Sequence, residues 1–144
     1  MKVKVKKLKE NAKIPFYATE LSAGSDFYAC IEKPIEIKPG ETEMIPTGLA
    51  FAIPKGYVGL IYARSGLASK QGLAPANKVG VIDADYRGEV LIALHNHSQE
   101  KRTVEPGDRL AQFVITPYLK ADYEEVEELD ETARKSGGFG STGK

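Results

Sequence analysis

Cysteine is nearly absent from the sequence, and long apolar runs are missing altogether. The single Cys30 excludes an internal disulfide framework and favours a reducing compartment, most simply the cytoplasm. No apolar run approaches the ~18 residues that a membrane-spanning helix needs, and the N-terminus lacks the apolar core of a secretory signal. We therefore predict a soluble intracellular protein that does not bind a membrane.

An excess of charge of either sign is also absent. Twenty Lys and Arg balance 20 Asp and Glu, so the formal net charge is zero. This balance argues against a protein that coats nucleic acid or a membrane surface. The chain has 144 residues, of which 42% are hydrophobic and 28% charged, as is typical of one globular domain with a sizeable core.

Several common catalytic and metal-binding motifs are missing. The sequence has no C-x-x-C pair, no H-E-x-x-H and no G-x-S-x-G. His95 and His97 are two residues apart, but a structural zinc site would need four ligands and a polar turn follows them. The ending GFGSTGK has the spacing of a P-loop but is followed by neither the expected Ser or Thr nor a helix. We therefore expect neither a zinc site nor a P-loop ATPase.

The sequence does contain a series of short β-prone segments separated by turn residues. KVKVKKL (2–8) alternates lysine with apolar residues, as a half-buried strand does. KVGVIDADYRGEVLIALHN (78–96) has the pattern of strand, tight turn and strand, and RLAQFVITPYL (109–119) that of an apolar strand. One helix of about two turns is predicted at RSGLASKQG (64–72), and the pattern of 123–131 fits either a helical stripe or an edge strand. Together these segments predict an all-β sandwich or barrel with one short helix.

Two segments carry residue types that are suited to a phosphate and its metal ion. Arg64 and Ser65 lie where a strand is predicted to turn into the short helix. Ser65 either caps that helix or, together with Arg64 and the helix N–H groups, binds phosphate. Asp26 supplies a carboxylate suited to a Mg²⁺ ion that keeps most of its waters.

A third segment, GVIDADYRGEV (80–90), places Asp83, Asp85 and Tyr86 at the predicted tip of a hairpin. Asp is a common turn residue, so a structural role is one interpretation. The other interpretation is that an Asp held near a phosphate polarises an attacking water as a general base.

The end of the chain has a composition unlike the rest. The apolar periodicity ends near residue 133, so we predict a β-domain at 1–132 and a flexible glycine-rich arm at 133–144. Glycine N–H groups, hydroxyl groups and a basic side chain can together bind an anion, and Phe139 offers a face on which a base can stack. The arm is therefore either a disordered tail or a lid over a nucleotide.

Taken in order, five segments resemble the five motifs of the trimeric dUTPase family (dUTP nucleotidohydrolases). They are AGSDFYA (23–29), ARSGLA (63–68), NKVGVIDADYRGEV (77–90), GDRLAQFVI (107–115) and RKSGGFGSTG (134–143). The resemblance implies a jelly-roll-like β-barrel or sandwich, the dUTPase-like β-clip, which forms a homotrimer with active sites between subunits. One chain would supply the phosphate-binding segments, a second the turn that reads the base, and a third its arm as a lid.

For the reaction, the resemblance implies hydrolysis of dUTP to dUMP and pyrophosphate, which limits uracil in DNA and supplies dUMP for dTMP synthesis. Asp83 would activate the water that attacks the α-phosphate, Asp26 would hold Mg²⁺ through water, and Tyr86 would lie beneath the deoxyribose and exclude a 2′-hydroxyl. The residues implied to contact the phosphates are Arg64, Ser65, Gly66 and Gln112. Those implied to line the uracil slot are Asn77, Gly80, Val81, Ile82 and Leu91. Those implied to form the lid are Arg134, Phe139, Gly140, Ser141 and Thr142.

Three positions depart from the family pattern. Phe27 stands where Leu is usual, and Ser25 where an aromatic residue is common, so both bear on packing beside Asp26. Lys135 stands where glycine is more usual, which bears on how the arm is ordered.

Two alternatives remain open beside dUTP hydrolysis. A dCTP deaminase, or a bifunctional deaminase and dUTPase of the same fold, needs a general acid/base near the base, and Glu89 is the only nearby acid beyond the turn aspartates. A non-enzymatic binding module that has kept the trimeric scaffold is the second alternative.

Overall fold

Strands dominate the fold, and the computed structural model describes them within residues 1–133 and 135–138. One helix, α1 (Ser65–Gln71), lies among the described residues at the position that the sequence predicts. The strands are β1 (Lys4–Lys7), β2 (Ser25–Tyr28), β3 (Ile35–Ile37), β4 (Thr42–Pro46), β5 (Leu49–Ala52), β6 (Tyr57–Ala63), β7 (Leu73–Pro75), β8 (Gly80–Ile82), β9 (Leu91–Asn96), β10 (Arg102–Val104) and β11 (Arg109–Pro117). The all-β class with one short helix is therefore confirmed.

The strands form two larger and two smaller antiparallel sheets. One sheet has the order β2-β11-β6-β8, a second the order β4-β9-β7, and two-stranded sheets join β1 to β5 and β3 to β10. Strands that are distant in the sequence are thereby made neighbours, since β11 lies between β2 and β6. The four-stranded sheet carries five of the predicted site residues, namely Asp26, Gly80, Val81, Ile82 and Gln112.

The core explains two of the departures from the family pattern. Phe27 is fully buried, and its ring centroid lies 4.8 Å from that of Phe113 and 5.8 Å from that of Phe51. Ser25 is buried too, and its hydroxyl donates a hydrogen bond to the carbonyl of Phe113 at 3.3 Å. The phenyl ring of Phe27 packs in the core, and the hydroxyl of the small Ser25 is hydrogen-bonded to the backbone of β11.

The structure differs from the sequence prediction after β11. Residues 118–133, which fall wholly within the described ranges, contain neither helix nor strand. The apolar side chains of this segment are exposed, with Leu119 at 99% and Tyr123 at 93% of their full accessibility. Neither the helix nor the edge strand proposed for 123–131 is therefore present, because none of the described residues covers the apolar side of the segment. No helix in the described ranges has the length and apolar character needed to span a bilayer.

Candidate active site

Residues from three strands meet at one end of the four-stranded sheet, which we call the phosphate end (Asp26, Arg64, Arg109 and Gln112). Gln112 of β11 lies opposite Asp26 of β2 on one side and opposite Tyr62 of β6 on the other. Arg64 directly follows β6 and begins the turn into α1. The structure thus brings together Asp26, Arg64 and Gln112, which are far apart in the sequence.

The carboxylate of Asp26 is almost completely buried and is held by two arginines. Arg64 donates from Nε to Oδ1 at 2.9 Å, and Arg109 donates from Nη1 to Oδ2 at 3.2 Å. The Asp26 side chain is only 8% exposed, against 24% for Arg64 and 49% for Arg109. Because a guanidinium stays protonated in proteins, the three side chains together carry one excess positive charge. Such a cluster is suited to an anion.

Arg109 is a contact of this site that the sequence analysis did not assign. The pairing of β11 with β2 is shifted between Arg109 and Ala111, and both Leu110 and Ala111 are buried. A bulge of this kind re-aims the side chain beside it. It directs Arg109 to the face that carries Gln112, although three residues of a regular strand would place them on opposite faces. The only sequence signal was the position of Arg109 within GDRLAQ, three residues before Gln112.

Helix α1 begins at Ser65, and the helix-capping interpretation of this residue does not hold. The N-cap position belongs to Arg64, whose backbone is extended, and no side chain donates or accepts a capping hydrogen bond there. Ser65 and Gly66 are both exposed beside Arg64. Their exposure leaves them accessible to a ligand at the phosphate end.

A second group of site residues lies on and around β8, which we call the base end (77–91). Gly80 is buried, and a Cβ atom there would stand 3.1 Å from Asn77 Nδ2 and 3.1 Å from Ile61 Cβ. Asn77 therefore packs against a position that only glycine occupies without displacing a neighbour. Val81 and Leu91 are 60% and 41% exposed, so the base end is open on its outer side.

The predicted hairpin is wrong in its pairing. A strand, a turn and a strand do occur, but β8 pairs with β6 whereas β9 pairs with β4 and β7. The connection is held locally, because Tyr86 N–H donates to the carbonyl of Asp83 at 3.2 Å and Tyr86 O–H to that of Glu89 at 2.9 Å. The ring of Tyr86 covers Gly88, where any side chain would collide with it. The turn is thus built to place Tyr86, with the two flanking strands anchored in different sheets.

Asp83 is exposed and lines a cleft of about 800 Å³, together with Asp85, Val81 and residues of β6. It follows the Gly59–Ile82 pair, so it lies level with Val58 of β6, whereas Gln112 lies opposite Tyr62. From Val58 to Tyr62 the strand rises about 13 Å. A general base must lie within hydrogen-bond reach of the water that it activates. The Asp83 and the Gln112 of one chain therefore do not meet around one phosphate group.

His95 and His97 lie close together outside both ends of the site. Their ring centroids are 4.3 Å apart, and His95 Nδ1 shares a hydrogen bond of 2.8 Å with the hydroxyl of Thr42. Slight desolvation, together with the nearby charges of His95 and Lys78, lowers the pKa of His97, although its side chain is exposed. Asn96 between them is buried, and its Nδ2 donates to the carbonyls of Ile37 and Glu100. Within the described residues, no group of three or more His, Cys, Asp or Glu side chains is arranged to hold a metal ion.

All five residues assigned to the lid lie outside the described part of the chain. Arg134, Phe139, Gly140, Ser141 and Thr142 are among those outside it. Lys135 is described, and its φ of 48° falls in the left-handed region that favours glycine. Glycine is the residue that the family pattern usually has at this position.

The chain matches known proteins along its whole length. A family model described as dUTPase matches residues 10–143. A deoxyuridine 5'-triphosphate nucleotidohydrolase of Syntrophotalea carbinolica is 51% identical over 141 residues, which cover 98% of this chain and 96% of that protein. The protein of the same name from Rickettsia bellii is 52% identical over 142 residues, which cover 98% and 95% of the two chains.

Solved structures of dUTPases share the fold. A variant of the Staphylococcus bacteriophage 80alpha dUTPase with dUpNHpp superposes with a TM-score of 0.88 and 30% identity, covering 99% of this chain and 98% of that one. A variant of the dUTPase from phage phi11 of S. aureus, whose structure reveals the coordination of a structural Mg(II) ion, superposes with a TM-score of 0.79 and 30% identity, covering 89% and 98% of the two chains. The chain described here belongs to the dUTPase family.

Proposed function

We propose that this protein hydrolyses dUTP to dUMP and pyrophosphate, by attack of a water that Asp83 activates on the α-phosphate. The observation that carries the proposal is the family match over residues 10–143, which contains all five motifs. The reaction limits uracil in DNA and supplies dUMP for dTMP synthesis. A cytoplasmic location stays a prediction, based on the single cysteine.

The phosphate end would bind the triphosphate. Arg64 belongs to the cluster that carries the excess positive charge, and Gln112 lies beside this cluster. Ser65 and Gly66 offer a hydroxyl and an N–H on the exposed first turn of α1. Preorganised donors of this kind stabilise the negative charge that moves onto the leaving pyrophosphate. Arg64 is already positioned before the nucleotide binds, because Asp26 holds its guanidinium in place.

The donor set at the phosphate end fits Mg²⁺, provided that the ion arrives with the nucleotide. Mg²⁺ is usually bound by one or two carboxylates and by substrate phosphates, with several waters retained. Asp26 supplies one carboxylate, and each of its oxygens accepts one hydrogen bond from an arginine. Each oxygen can accept a further hydrogen bond, for example from a water bound to the ion. The net positive cluster disfavours a bare cation, so the phosphates would bring most of the negative charge. When bound, Mg²⁺ would neutralise charge on the triphosphate.

The base end would recognise uracil and deoxyribose. Asn77 and the main chain of Gly80, Val81 and Ile82 offer fixed donors and acceptors, and Leu91 supplies an apolar side. A fixed pattern of this kind rejects cytosine, because a mismatched base leaves buried polar groups unpaired. Tyr86, fixed by its hydrogen bond to Glu89, would lie beneath the sugar and exclude a 2′-hydroxyl.

A homotrimer with sites between subunits agrees with the shape of the single chain. Asp83 and Gln112 of one chain are too far apart to meet around one phosphate, so a second chain would complete each site. An apolar row crosses the outer face of the four-stranded sheet, since Val114, Leu60 and Val81 are consecutive cross-strand partners, and Val81 is 60% exposed. Such a row beside the Asp83 cleft is suited to burial against another subunit. The third chain would contribute its arm, with Phe139 stacking on uracil, Arg134 reaching the terminal phosphate, and Gly140, Ser141 and Thr142 completing the lid.

The alternative of a deaminase is not favoured by the position of Glu89. Its Oε1 accepts a hydrogen bond of 2.8 Å from Gly48 N–H, so the carboxylate is occupied in joining the turn to the strand region of β5. A general acid/base must instead be presented to the substrate. A binding module without activity would be free to lose Asp83 or the glycine-rich arm, and this sequence has both.

The experiment that tests the proposal measures pyrophosphate release from dUTP, UTP, dCTP and dTTP by the purified protein with Mg²⁺. We expect rapid release from dUTP alone. Ammonia from dCTP would assign the protein to the deaminase branch, and turnover of none of the four would leave a nucleotide-binding module.

A further inference from the structure

The phosphate end contains one more arginine than the buried carboxylate needs. One guanidinium would neutralise Asp26, whose side chain is only 8% exposed, yet two are within hydrogen-bond distance of it. The second, Arg109, reaches the carboxylate only because a bulge in β11 re-aims it. A cavity of about 210 Å³ lies beside the pair and is lined by both Arg64 and Arg109. The local strand geometry is thus adapted to bring Arg109 to Asp26.

The two arginines differ in what else they can do. Arg64 is 24% exposed, borders the exposed Ser65 and contacts Asp26 through Nε, a hydrogen bond that does not use the N–H donors of its two Nη groups. Arg109 contacts the other oxygen, Oδ2, through Nη1. Each arginine therefore holds its own oxygen, and either one can weaken its contact while the other remains.

We infer that Arg109 is a positioning residue, which keeps Asp26 paired and oriented while Arg64 shares its charge with the substrate phosphates. The inference rests on the proposed function, because it takes Arg64 to be a phosphate ligand. Without nucleotide, both arginines hold the carboxylate. With nucleotide, the phosphates compete for Arg64, and Arg109 becomes the main partner of a carboxylate that water hardly reaches.

The different roles of Arg109 and Arg64 follow from the free-energy cost of leaving a buried charge unpaired. Removing one partner of a buried ion pair is strongly destabilising, because the remaining charge loses both its water and its partner. In a protein without Arg109, that cost would arise mainly when nucleotide engages Arg64. The loss should therefore appear in nucleotide binding more than in the stability of the free protein.

The test compares Arg109→Gln, Arg109→Lys and the wild-type protein. The matched control is Lys101→Gln, which removes an exposed cation that pairs with the exposed Glu36 of β3. Four quantities are measured with Mg²⁺: the Kd for the analogue dUpNHpp, the KM and kcat for dUTP, and the Tm with and without the analogue. We expect Arg109→Gln to raise Kd and KM about 10- to 100-fold, as loss of an outer partner of a ligand does. The kcat should change much less, Arg109→Lys should recover most of the affinity, and Lys101→Gln should behave as wild type.

The outcomes separate this inference from the proposed function. If the wild-type protein neither binds dUpNHpp nor hydrolyses dUTP, the proposed function fails. If the wild-type protein is active and Arg109→Gln binds as tightly, the inference is overturned. It is overturned equally if Arg109→Gln lowers the Tm of the free protein as much as that of the nucleotide complex, because the residue would then be merely structural. A double-mutant cycle with Asp26→Asn adds a further test, since the effect of Arg109→Gln on Kd should largely vanish once residue 26 carries no charge.

Discussion

The phosphate end and the base end of this molecule are built in opposite ways. The phosphate end depends on contacts between residues distant in the sequence, as Asp26 on β2 bonds to Arg109 on β11 and to Arg64 after β6. The base end depends on a single turn, in which Tyr86 bonds to Asp83 and Glu89. The carboxylate of Asp26 at the phosphate end is buried, whereas the carboxylate of Asp83 at the base end is exposed in an open cleft.

The difference indicates which parts of the site are complete within one chain. The cluster of Asp26 with its two arginines is formed within one chain, so its excess positive charge is in place before any partner arrives. An exposed aspartate beside the half-exposed row of Val81, Leu60 and Val114 still needs a covering surface that excludes water. The phosphate end is therefore the preorganised half of the site, and the base end is the half that the proposed homotrimer would complete.

The most severe break of the base end is Asp83→Asn. We expect kcat for dUTP to fall about 10²- to 10⁴-fold, because the amide cannot accept the proton of the attacking water. Since Asp83 is exposed, stability should change by less than about 0.5 kcal/mol. Pyrophosphate release gives kcat, and titration with dUpNHpp should show binding retained.

The matched control for this change is Asp85→Asn, in the same turn and the same cleft. It removes an equal charge and should keep most of the activity. Full turnover by Asp83→Asn, or an equal loss in Asp85→Asn, would contradict the assignment of the base.

Mixing two inactive variants tests whether the two ends that serve one substrate belong to different chains. Asp83→Asn damages only the base end and Arg64→Gln only the phosphate end. If the chains are unfolded and refolded together, about one site in four should combine two intact ends in a randomly mixed oligomer. Pyrophosphate release should recover accordingly, while either variant refolded alone stays inactive. No recovery in a mixture shown to contain both chains would place both ends in one chain.

Which features could be predicted from the sequence depends on how far apart in the chain the contacting residues lie. The strand-rich class and the helix at Ser65–Gln71 follow from local patterns, so they were predictable. The grouping of Asp26, Arg64 and Gln112 came from the family resemblance alone, because strand alternation does not say which strands are neighbours. The role of Arg109 was not predicted, because a bulge in β11 interrupts the alternation of side chains between the two faces of the strand.

The base end shows the opposite limit. The turn residues Asp83 and Tyr86 could be identified from composition, but the pairing of the flanking strands could not. A tight turn between two apolar strands usually indicates a hairpin. Here Val90 exchanges backbone hydrogen bonds with Leu49 and Thr47, and Leu91 then pairs with Pro46 of β4, so the chain entering β9 joins β4 instead of β8. Long-range pairing decided what the local pattern left open.

A milder break of the base end is Gly80→Ala. The added methyl group would lie 3.1 Å from Asn77 Nδ2, so the Asn77 side chain must shift by a few tenths of an ångström. We expect KM for dUTP to rise about tenfold with kcat nearly unchanged, which is the signature of lost binding shared by ground and transition states. The ratio of kcat/KM for dUTP and dCTP should fall as well. An unchanged ratio would mean that the polar group of Asn77 does not read the base.

The smallest expected effect belongs to a group outside both ends, His97. Its pKa in the folded protein is lowered from the ordinary value of 6.5 by slight desolvation of the exposed ring and by the nearby charges of His95 and Lys78. As pH falls through 6.5, the unfolded chain takes up this proton first, so the folded state loses stability down to the lowered pKa and no further. His97→Gln should remove this loss: its Tm should match that of the wild type at pH 8 and slightly exceed it near pH 5, with dUTP hydrolysis unchanged at neutral pH. Thermal unfolding across that range tests the sign, and an NMR titration that placed the pKa of His97 at or above 6.5 would contradict it.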